Sequence, residues 1–262
     1  MRTVIKIGTS TLTYATGQLN IRRVESLVKV IADLKNAGNE IVLVSSGAIA
    51  MGVGKLGLRE RPPDMPTKQA AAAVGQCELM YVYDNLFSSY GHTVAQLLIT
   101  GSDLRDAERY ENFRNVMNRL TEFSAIPVIN ENDTISTDEI AVGDNDTLGA
   151  IVAAAVEADL LILLSDIDGL YTADPHRDPG ATLISDVYDL SPEILALAGG
   201  SGSALGTGGM RTKLHAAGIC LDAGCEMVIA NGADPQILYR IMDGENAGTR
   251  FHCAKKNGGI LS

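Results

Sequence analysis

A glycine-rich loop is the part of this sequence best suited to hold an anion. Residues 206–213 are GTGGMRTK, and an alanine-rich stretch with helical spacing follows them. Glycines let backbone N–H groups approach phosphate oxygens, and a helix N-terminus carries about half a positive charge. Lys213 would lie in the first turns of that helix, where a cation is disfavoured unless an anion is bound. We predict a phosphate site here; the alternative is a flexible surface loop with an exposed lysine.

A second lysine, Lys6, lies within the apolar run VIKIG at positions 4–8. Lysines are seldom buried unless they are paired. The run looks like a central strand, and small residues follow it at once. Lys6 could therefore point at an anion from the carboxyl end of a strand, or it could be an ordinary charge on an edge strand.

Carboxylates and amides cluster where other elements begin or end. Residues 130–133 (NEND) close an apolar run, and residues 142–147 (VGDNDT) open a helical stretch. N-capping is sufficient to explain Asp144, but it does not require Asn145 and Asp146 as well. Together the two segments offer acceptors suited to a substrate ammonium or a hydrated metal.

One further carboxylate, Asp166, follows Ser165 at the end of the strand predicted over Leu160–Leu164. At that sheet edge it could hold two lysines in place. Two lysines, phosphate-binding glycines and orienting carboxylates, without a nucleophile–histidine pair, favour phosphoryl transfer over acyl or glycosyl chemistry. Transfer of a γ-phosphoryl group depends on positioning and charge neutralisation. The four histidines lie outside these motifs and are interpreted as ordinary residues: His92, His176, His215 and His252.

The charge distribution places these acids in one segment. The chain has 262 residues, 32 acids and 21 bases, a net charge of −11. Residues 120–176 contain twelve acids and no lysine or arginine, which leaves 20 acids and 21 bases, net +1, elsewhere. An acidic surface is one interpretation. The same segment, however, contains apolar runs typical of buried strands, so acids between them indicate a site.

Alternating strand-like and helix-like runs must position these residues. Nearly continuous apolar strands between helices predict a mostly parallel sheet covered on both faces, a three-layer αβα sandwich. No linker divides the chain, so we predict a single domain over residues 1–262. The predicted strands are Thr3–Ile7, Ile41–Ser45, Thr93–Ile99, Ile126–Asn130, Leu160–Leu164 and Met227–Ile229, and the helices cover residues 21–37, 68–89, 111–123, 146–158, 210–223 and 235–242.

Composition excludes several classes of protein. An apolar fraction of 46% can fill a core, so disorder is excluded. The acidity and the absence of tryptophan argue against a nucleic-acid binder, and no apolar run is long enough for a membrane span. Four cysteines without metal-ligand spacing, and no signal peptide, indicate a cytoplasmic protein. The formal GxGxxG at residues 52–57 follows no strand directly, so we interpret it as a chance match.

Seven motifs, in order along the chain, resemble the amino acid kinase family. They are VIKIGTSTL, VSSGAIAMG, KQAAAAVGQ, PVINENDTI, VGDNDTLGA, LLSDIDGLYTADP and GTGGMRTKLHAA. The pair VINEND and VGDND distinguishes the members that act on free glutamate from those that act on acetylglutamate, aspartate, carbamate or UMP. The resemblance implies the amino acid kinase fold and ATP-dependent phosphorylation of the γ-carboxylate of L-glutamate, the first step of proline biosynthesis.

The resemblance also implies roles for individual residues. Lys6 and Lys213 would stabilise the transferring phosphoryl group, and Asp166 would orient them. Mg²⁺ would bridge the phosphates of ATP, and we predict no metal-ligating residue in the protein. Ser46, Asp133 and Asn145 match glutamate-binding positions, and Asp146 would support the α-ammonium. The residues that would bind ATP are Lys6, Ser165, Asp166, Thr207, Gly208, Gly209, Met210, Arg211, Thr212 and Lys213.

Other features of the family are expectations of the same kind. Many members continue into a C-terminal PUA domain, whereas this sequence stops at Ser262, so we expect a form without that domain. A dimer or tetramer and feedback inhibition by proline are further expectations. Two alternatives stay open: a kinase of the same fold for another small carboxylate or carbamate, and a non-catalytic sensor. The sensor would be expected to lack a catalytic lysine, and both lysines are present.

Overall fold

The core of the chain is an eight-stranded sheet, seen in a computed structural model that describes residues 1–14, 16–136, 144–175, 177–199 and 209–253. The strands pair in the order β3-β4-β2-β1-β5-β9-β10-β8. Two further short strands, β6 and β7, form a separate antiparallel pair. The bounds are β1 Arg2–Ile7, β2 Glu40–Ser45, β3 Val94–Ile99, β4 Ile126–Glu131, β5 Leu160–Ser165, β6 Leu170–Tyr171, β7 Leu183–Ile184, β8 Asp186–Val187, β9 Glu226–Asn231 and β10 Thr249–Phe251.

The sheet is parallel except where β10 runs antiparallel to β9. Its central strands are buried on both faces, and Val4, Ile5 and Ile7 of β1 are fully buried. Side chains buried on both faces explain why these strands are almost continuously apolar in sequence. The predicted α/β class with a mostly parallel sheet is confirmed, and all six predicted strands are present.

Helices cover both faces of the sheet, as predicted. One core cluster packs residues of α2, α4 and α10 against the sheet, and a second packs residues of α6, α7 and α9. The bounds are α1 Thr9–Leu12, α2 Ile21–Asn36, α3 Ala48–Leu56, α4 Met65–Ser88, α5 Gly101–Arg105, α6 Ala107–Glu122, α7 Asn145–Ala155, α8 Pro192–Ala196, α9 Met210–Ala223 and α10 Ile237–Met242. A 3₁₀ turn at Leu197–Gly199 directly follows α8.

Close contact between α3 and α4 explains the glycine motif at residues 52–57. A Cβ atom at Gly52 would collide with the carbonyl oxygen of Ala71, and one at Gly75 would collide with that of Ala48. Only glycine lets the two helix backbones approach so closely. The motif therefore lies inside a helix and serves packing, in agreement with the interpretation that it is not a dinucleotide fingerprint.

Some boundaries differ from the prediction. Helix α7 ends at Ala155 rather than at residue 158, because Glu157 has a left-handed backbone (φ 52°) and stops the helix. Helices α1, α3, α5 and α8 were not predicted. The short strands β6, β7, β8 and β10 were not predicted either, since runs of two or three residues give no periodicity to detect. Strands from both ends of the chain share one sheet, and the single domain over 1–262 stays a prediction.

Candidate active site

The carboxyl ends of β1, β2, β4, β5 and β9 meet at one edge of the sheet. The backbone N–H of Gly8 donates to the carbonyl of Leu164 (3.3 Å), that of Ser46 to Ile7 (3.0 Å), and that of Gly232 to Ser165 (2.8 Å). These bonds hold the loops that follow β1, β2, β5 and β9 side by side. Ligands of open α/β sheets bind at such an edge.

A buried ionic cluster of Lys6, Asp146 and Lys213 lies at this edge. Lys6 Nζ is 2.6 Å from Asp146 Oδ1, and Lys213 Nζ donates to Asp146 Oδ2 at 2.9 Å. Lys6, Lys213 and Asp146 are only 9%, 4% and 1% exposed. Two ammonium groups and one carboxylate leave one unit of positive charge out of water, which makes the cluster a receptor for an anion.

The lysines fix the ionisation of the carboxylate between them. Burial alone would raise the pKa of Asp146, but the charges of Lys6 and Lys213 and their hydrogen bonds lower it to about 2. Asp146 is therefore ionised throughout the physiological pH range. Thr212 also donates to it, through Oγ1 at 3.1 Å.

Three elements bring the cluster together. Lys6 lies on the central strand β1, in register with Val44 of β2 and Leu163 of β5. Asp146 is in the first turn of α7, whose start is fixed because the Asp144 carboxylate accepts from the backbone N–H groups of residues 146 and 147 at 2.8 and 2.9 Å. The capping interpretation of Asp144 is thus supported by the geometry.

Lys213 comes from the first turn of α9, directly after the glycine-rich loop. Gly209 is the N-cap of α9 and supplies no side-chain acceptor, so the first N–H groups and the dipole of this helix end are suited to an anion. Met210 is half-buried and Arg211 is exposed. Thr207 and Gly208, the other predicted residues of the loop, lie outside the described residues.

The structure corrects the positions predicted for two carboxylates. Asp146, not Asp166, lies between the two lysines. Asp166 is exposed at the end of β5, and within the described part of the chain its hydrogen bond comes from Ser165 Oγ (3.2 Å). Asp146 was predicted to support a substrate ammonium, but both of its oxygens face the lysines. The first turn of α7 places Asp146 in the buried interior at the sheet edge, whereas Asp166 follows β5 at a solvent-exposed position.

A network of neutral side chains lies beside the ionic cluster. Asn145 Nδ2 donates to Ser46 Oγ at 2.8 Å and to Asn130 Oδ1 at 3.0 Å, and Asn130 Nδ2 donates to Gln76 Oε1 at 3.0 Å. We call Ser46, Gln76, Asn130 and Asn145 the amide network. The structure brings Ser46 and Asn145 together as predicted. Gln76 was not predicted, although it closes the KQAAAAVGQ motif, which was its only signal.

Asp133 has the opposite electrostatic environment from Asp146. Burial, together with the nearby charge of Glu131, raises the pKa of Asp133 to about 6, although Arg61 acts against the shift. Glu131 is itself buried and accepts from Ser136 Oγ at 2.8 Å. Asp133 is therefore poised to gain affinity for a cation, since a bound ammonium would relieve the repulsion from Glu131.

A second polar group orders the loop after β5. Asp168 accepts from Asn231 Nδ2 at 2.8 Å and from the Tyr171 hydroxyl at 2.9 Å. The loop is thereby tied to the end of β9, on the side of the edge where Asp166 lies. Among the described residues, no group of three or more His, Cys, Asp or Glu side chains could hold a metal ion by itself. No described helix is both long and apolar enough to cross a lipid bilayer.

Comparison with known sequences identifies clear relatives. Residues 1–231 match the model of the amino acid kinase family. A protein of Carboxydothermus hydrogenoformans called glutamate 5-kinase is 53% identical over 256 residues, covering 97% of this chain and 68% of that protein. A glutamate 5-kinase of Clostridium perfringens is 51% identical over 259 residues, covering 97% of this chain and 96% of that protein.

Solved structures share the fold at much lower identity. Carbamate kinase from Giardia lamblia, bound to AMP-PNP, superposes with a TM-score of 0.68 and 20% identity, over 97% of this chain and 98% of that one. Isopentenyl phosphate kinase of T. acidophilum gives 0.67 and 19%, over 96% and 100%. These likenesses show the fold, and the predicted three-layer architecture agrees with them.

Proposed function

Since the chain belongs to the amino acid kinase family, we propose that it transfers the γ-phosphoryl group of ATP to the γ-carboxylate of L-glutamate. The products are L-glutamyl 5-phosphate and ADP, and the reaction is the first step of proline biosynthesis, in the cytoplasm. The observation that carries the proposal is the buried ionic cluster, in which Lys6 and Lys213 approach one carboxylate at the sheet edge. The names of the close relatives supply the substrate.

Phosphoryl transfer requires the protein mainly to position the substrates and to neutralise charge. A glutamate side chain has a pKa near 4.3 and is ionised at neutral pH, so its oxygen can attack phosphorus without a general base. The bond from phosphorus to the ADP oxygen breaks as the new bond forms, and negative charge spreads over the phosphoryl oxygens. Lys6 and Lys213 are the groups placed to neutralise that charge, which accounts for a site without histidine.

Asp146 is assigned to hold the two lysines. Two buried ammonium groups repel each other, and the ionised carboxylate between them offsets that repulsion before the phosphates arrive. The cluster then needs little rearrangement during the reaction, which is the condition for effective electrostatic stabilisation. This assignment replaces the predicted orienting role of Asp166.

The two substrates are assigned to opposite sides of the cluster. On one side, Ser165, Asp166 and residues 207–213 would bind ATP, with the phosphates at the N-terminus of α9. On the other side, Ser46, Asn145 and Asp133 would bind glutamate. Asp133 takes the α-ammonium in place of Asp146, because both oxygens of Asp146 are occupied by the lysines, whereas the raised pKa of Asp133 would be relieved by a bound cation.

Mg²⁺ fits this arrangement as a partner of the nucleotide. Mg²⁺ in phosphoryl-transfer sites is held by substrate phosphates and one or two carboxylates rather than by a protein cage. Asp166, exposed at the end of β5, is the carboxylate available for that purpose. When bound, the ion would neutralise phosphate charge.

Two further proposals come from the family alone. We propose that the chain forms a homo-oligomer, a dimer or tetramer, and that proline inhibits it by feedback. Light scattering after size exclusion measures the first, and glutamate-dependent activity with increasing proline measures the second.

Trapping the product tests the proposed activity. ATP, Mg²⁺, L-glutamate and hydroxylamine should yield glutamyl hydroxamate, because hydroxylamine captures the acyl phosphate. Acetylglutamate and aspartate are the comparison substrates. Turnover with either of them, and none with glutamate, would overturn the substrate assignment in favour of another kinase of the same fold.

A further inference from the structure

Gln76 carries a buried hydrogen-bond donor that the protein itself does not use. The residue lies in α4 and is only 6% exposed, and its Oε1 accepts from Asn130. Within the described part of the chain, its Nε2 has no hydrogen-bond partner. An unpaired buried donor costs about 1–3 kcal/mol, so its presence beside the site calls for an acceptor that arrives with a ligand.

The orientation of this amide follows from one backbone group. The N–H of Glu131 donates to Asn130 Oδ1 at 2.9 Å, and a backbone N–H can only donate. Asn130 Oδ1 is therefore the acceptor, and its Nδ2 must be the atom that faces Gln76. The atom of Gln76 opposite this donor must then be Oε1, which leaves Nε2 as a buried donor without a partner among the described residues.

The same logic fixes the rest of the amide network. Asn145 faces the Asn130 acceptor, so it presents Nδ2, which also donates to Ser46 Oγ. The Ser46 hydroxyl receives that bond and keeps its own hydrogen for another acceptor. The network thus holds two donors in reserve, Gln76 Nε2 and the Ser46 hydroxyl.

The packing of α4 places Gln76 next to the substrate side of the site. Its neighbour Gly75 packs directly on the carbonyl of Ala48, two residues after Ser46. Asn145, at the other end of the network, precedes Asp146 of the ionic cluster. Through Asn130 and Asn145, the amide network therefore links Gln76 to the residue next to Asp146, on the side of the ionic cluster where Ser46 lies.

We infer that Gln76 is a substrate-binding residue, whose Nε2 donates a hydrogen bond to the α-carboxylate of the amino-acid substrate. The inference rests on the proposed function, because the γ-carboxylate must face the phosphoryl group at Lys6 and Lys213. The other carboxylate is then the acceptor left for the two reserved donors. Asn130 acts as a positioning residue that sets the direction of the Gln76 amide.

Two variants of Gln76 and one analogue test this assignment. Gln76→Glu keeps an acceptor for Asn130 but replaces the free donor, and Gln76→Met removes both polar atoms at similar volume. The matched control is Gln96→Glu, an exposed glutamine on β3. The analogue is L-isoglutamine, in which a neutral carboxamide replaces the α-carboxylate and the γ-carboxylate is retained. Hydroxamate formation gives kcat and KM for each pair, with thermal unfolding as the check on folding.

Both Gln76 variants should raise KM for L-glutamate about 10- to 100-fold, the scale of one hydrogen bond to a charged group. KM for ATP should not change, and the loss should be much smaller with L-isoglutamine, which already lacks the charge. An unchanged KM for glutamate, or an equal loss with both substrates, would overturn the inference. If Gln76→Met does not fold, Gln76→Glu decides. Wild-type protein without glutamate activity would overturn the proposed function instead.

Discussion

Two carboxylates from the same acidic segment, Asp146 and Asp133, are shifted in opposite directions. The pKa of Asp146 is lowered to about 2, although its burial acts the other way, because two lysines face it. The pKa of Asp133 is raised to about 6, because partial burial and the charge of Glu131 both disfavour its ionised form. Burial penalises the charge in both cases, and the neighbouring charges decide the outcome.

The difference separates a permanent anion from one that titrates. Asp146 stays ionised throughout the physiological pH range, as a fixed support for Lys6 and Lys213 should. Asp133 has no ion pair in the described part of the chain, where Arg61 only partly offsets its raised pKa, and it can acquire a closer cation from the substrate. The net charge of −11 therefore does not describe a uniform acidic surface. The acids behind it include at least two with different roles, one that stays ionised and one that titrates.

Of the substitutions considered, neutralising Asp146 should have the largest effect on the stability and activity of the protein. Asp146→Asn leaves two buried ammonium groups without a counter-charge, so we expect a loss of about 3–5 kcal/mol in unfolding free energy and loss of activity. The matched control is Asp144→Asn, because asparagine caps a helix about as well as aspartate. Urea unfolding at neutral pH measures both. Equal stability of the two variants would mean that Asp146 does not support the lysines.

Removing one lysine should raise the activation free energy, by slightly less than the stability that Asp146→Asn loses. Lys213→Ala should lower kcat about 10²- to 10³-fold, the effect of losing one preorganised charge stabiliser. Lys55→Ala, at an exposed lysine paired with Glu78, serves as control and should leave kcat unchanged. A normal kcat for Lys213→Ala would move that lysine out of the site.

Among the kinetic constants, Asp133→Asn should change only KM for glutamate. Loss of the ion pair to the α-ammonium should raise KM for glutamate about 10- to 100-fold. The values of kcat and KM for ATP should stay near those of the wild type, because the ionic cluster is intact. Steady-state hydroxamate kinetics separate these constants. A fall in kcat without a change in KM would assign Asp133 to the chemical step instead.

The same substitution should stabilise the protein at high pH, a smaller effect. A carboxyl whose pKa is raised on folding contributes stability that is complete below pH 4 and is lost as the pH rises through 6. Ionised Asp133 therefore costs free energy at pH 8, and Asp133→Asn should gain about 1–2 kcal/mol there, less at pH 5. Thermal melts at both pH values measure the gain. A stabilisation that grew at low pH would contradict the raised pKa.

Local sequence was sufficient for much of the fold and for the two lysines. The strands could be predicted because burial on both faces makes them continuously apolar. Lys6 and Lys213 stood out because a charge within a buried strand and a cation at the start of a helix are both unfavourable unless an anion is bound. The short strands β6, β7, β8 and β10 could not be found, since two or three residues carry no period.

The contacts between distant residues could not be predicted. Asp146 and Asp166 both lie at element ends, and nothing in the sequence tells which carboxylate reaches the lysines; the direction of α7 decides it. Gln76 is 54 residues from Asn130, and an alanine-rich helix gives no local signal for such a pair. Thr207 and Gly208 stay predictions, because they lie outside the described residues.

The pH dependence of glutamate binding tests most directly whether the two carboxylates have different tasks. KM for glutamate should be compared between wild type and Asp133→Asn from pH 5 to 8. In the wild type we expect KM to rise as the pH falls through about 6, by up to about tenfold per pH unit, because protonated Asp133 cannot pair with the ammonium. The variant should have a high KM that does not depend on pH in this range. A wild-type KM that is flat, or a step near pH 6 that persists in the variant, would contradict the account.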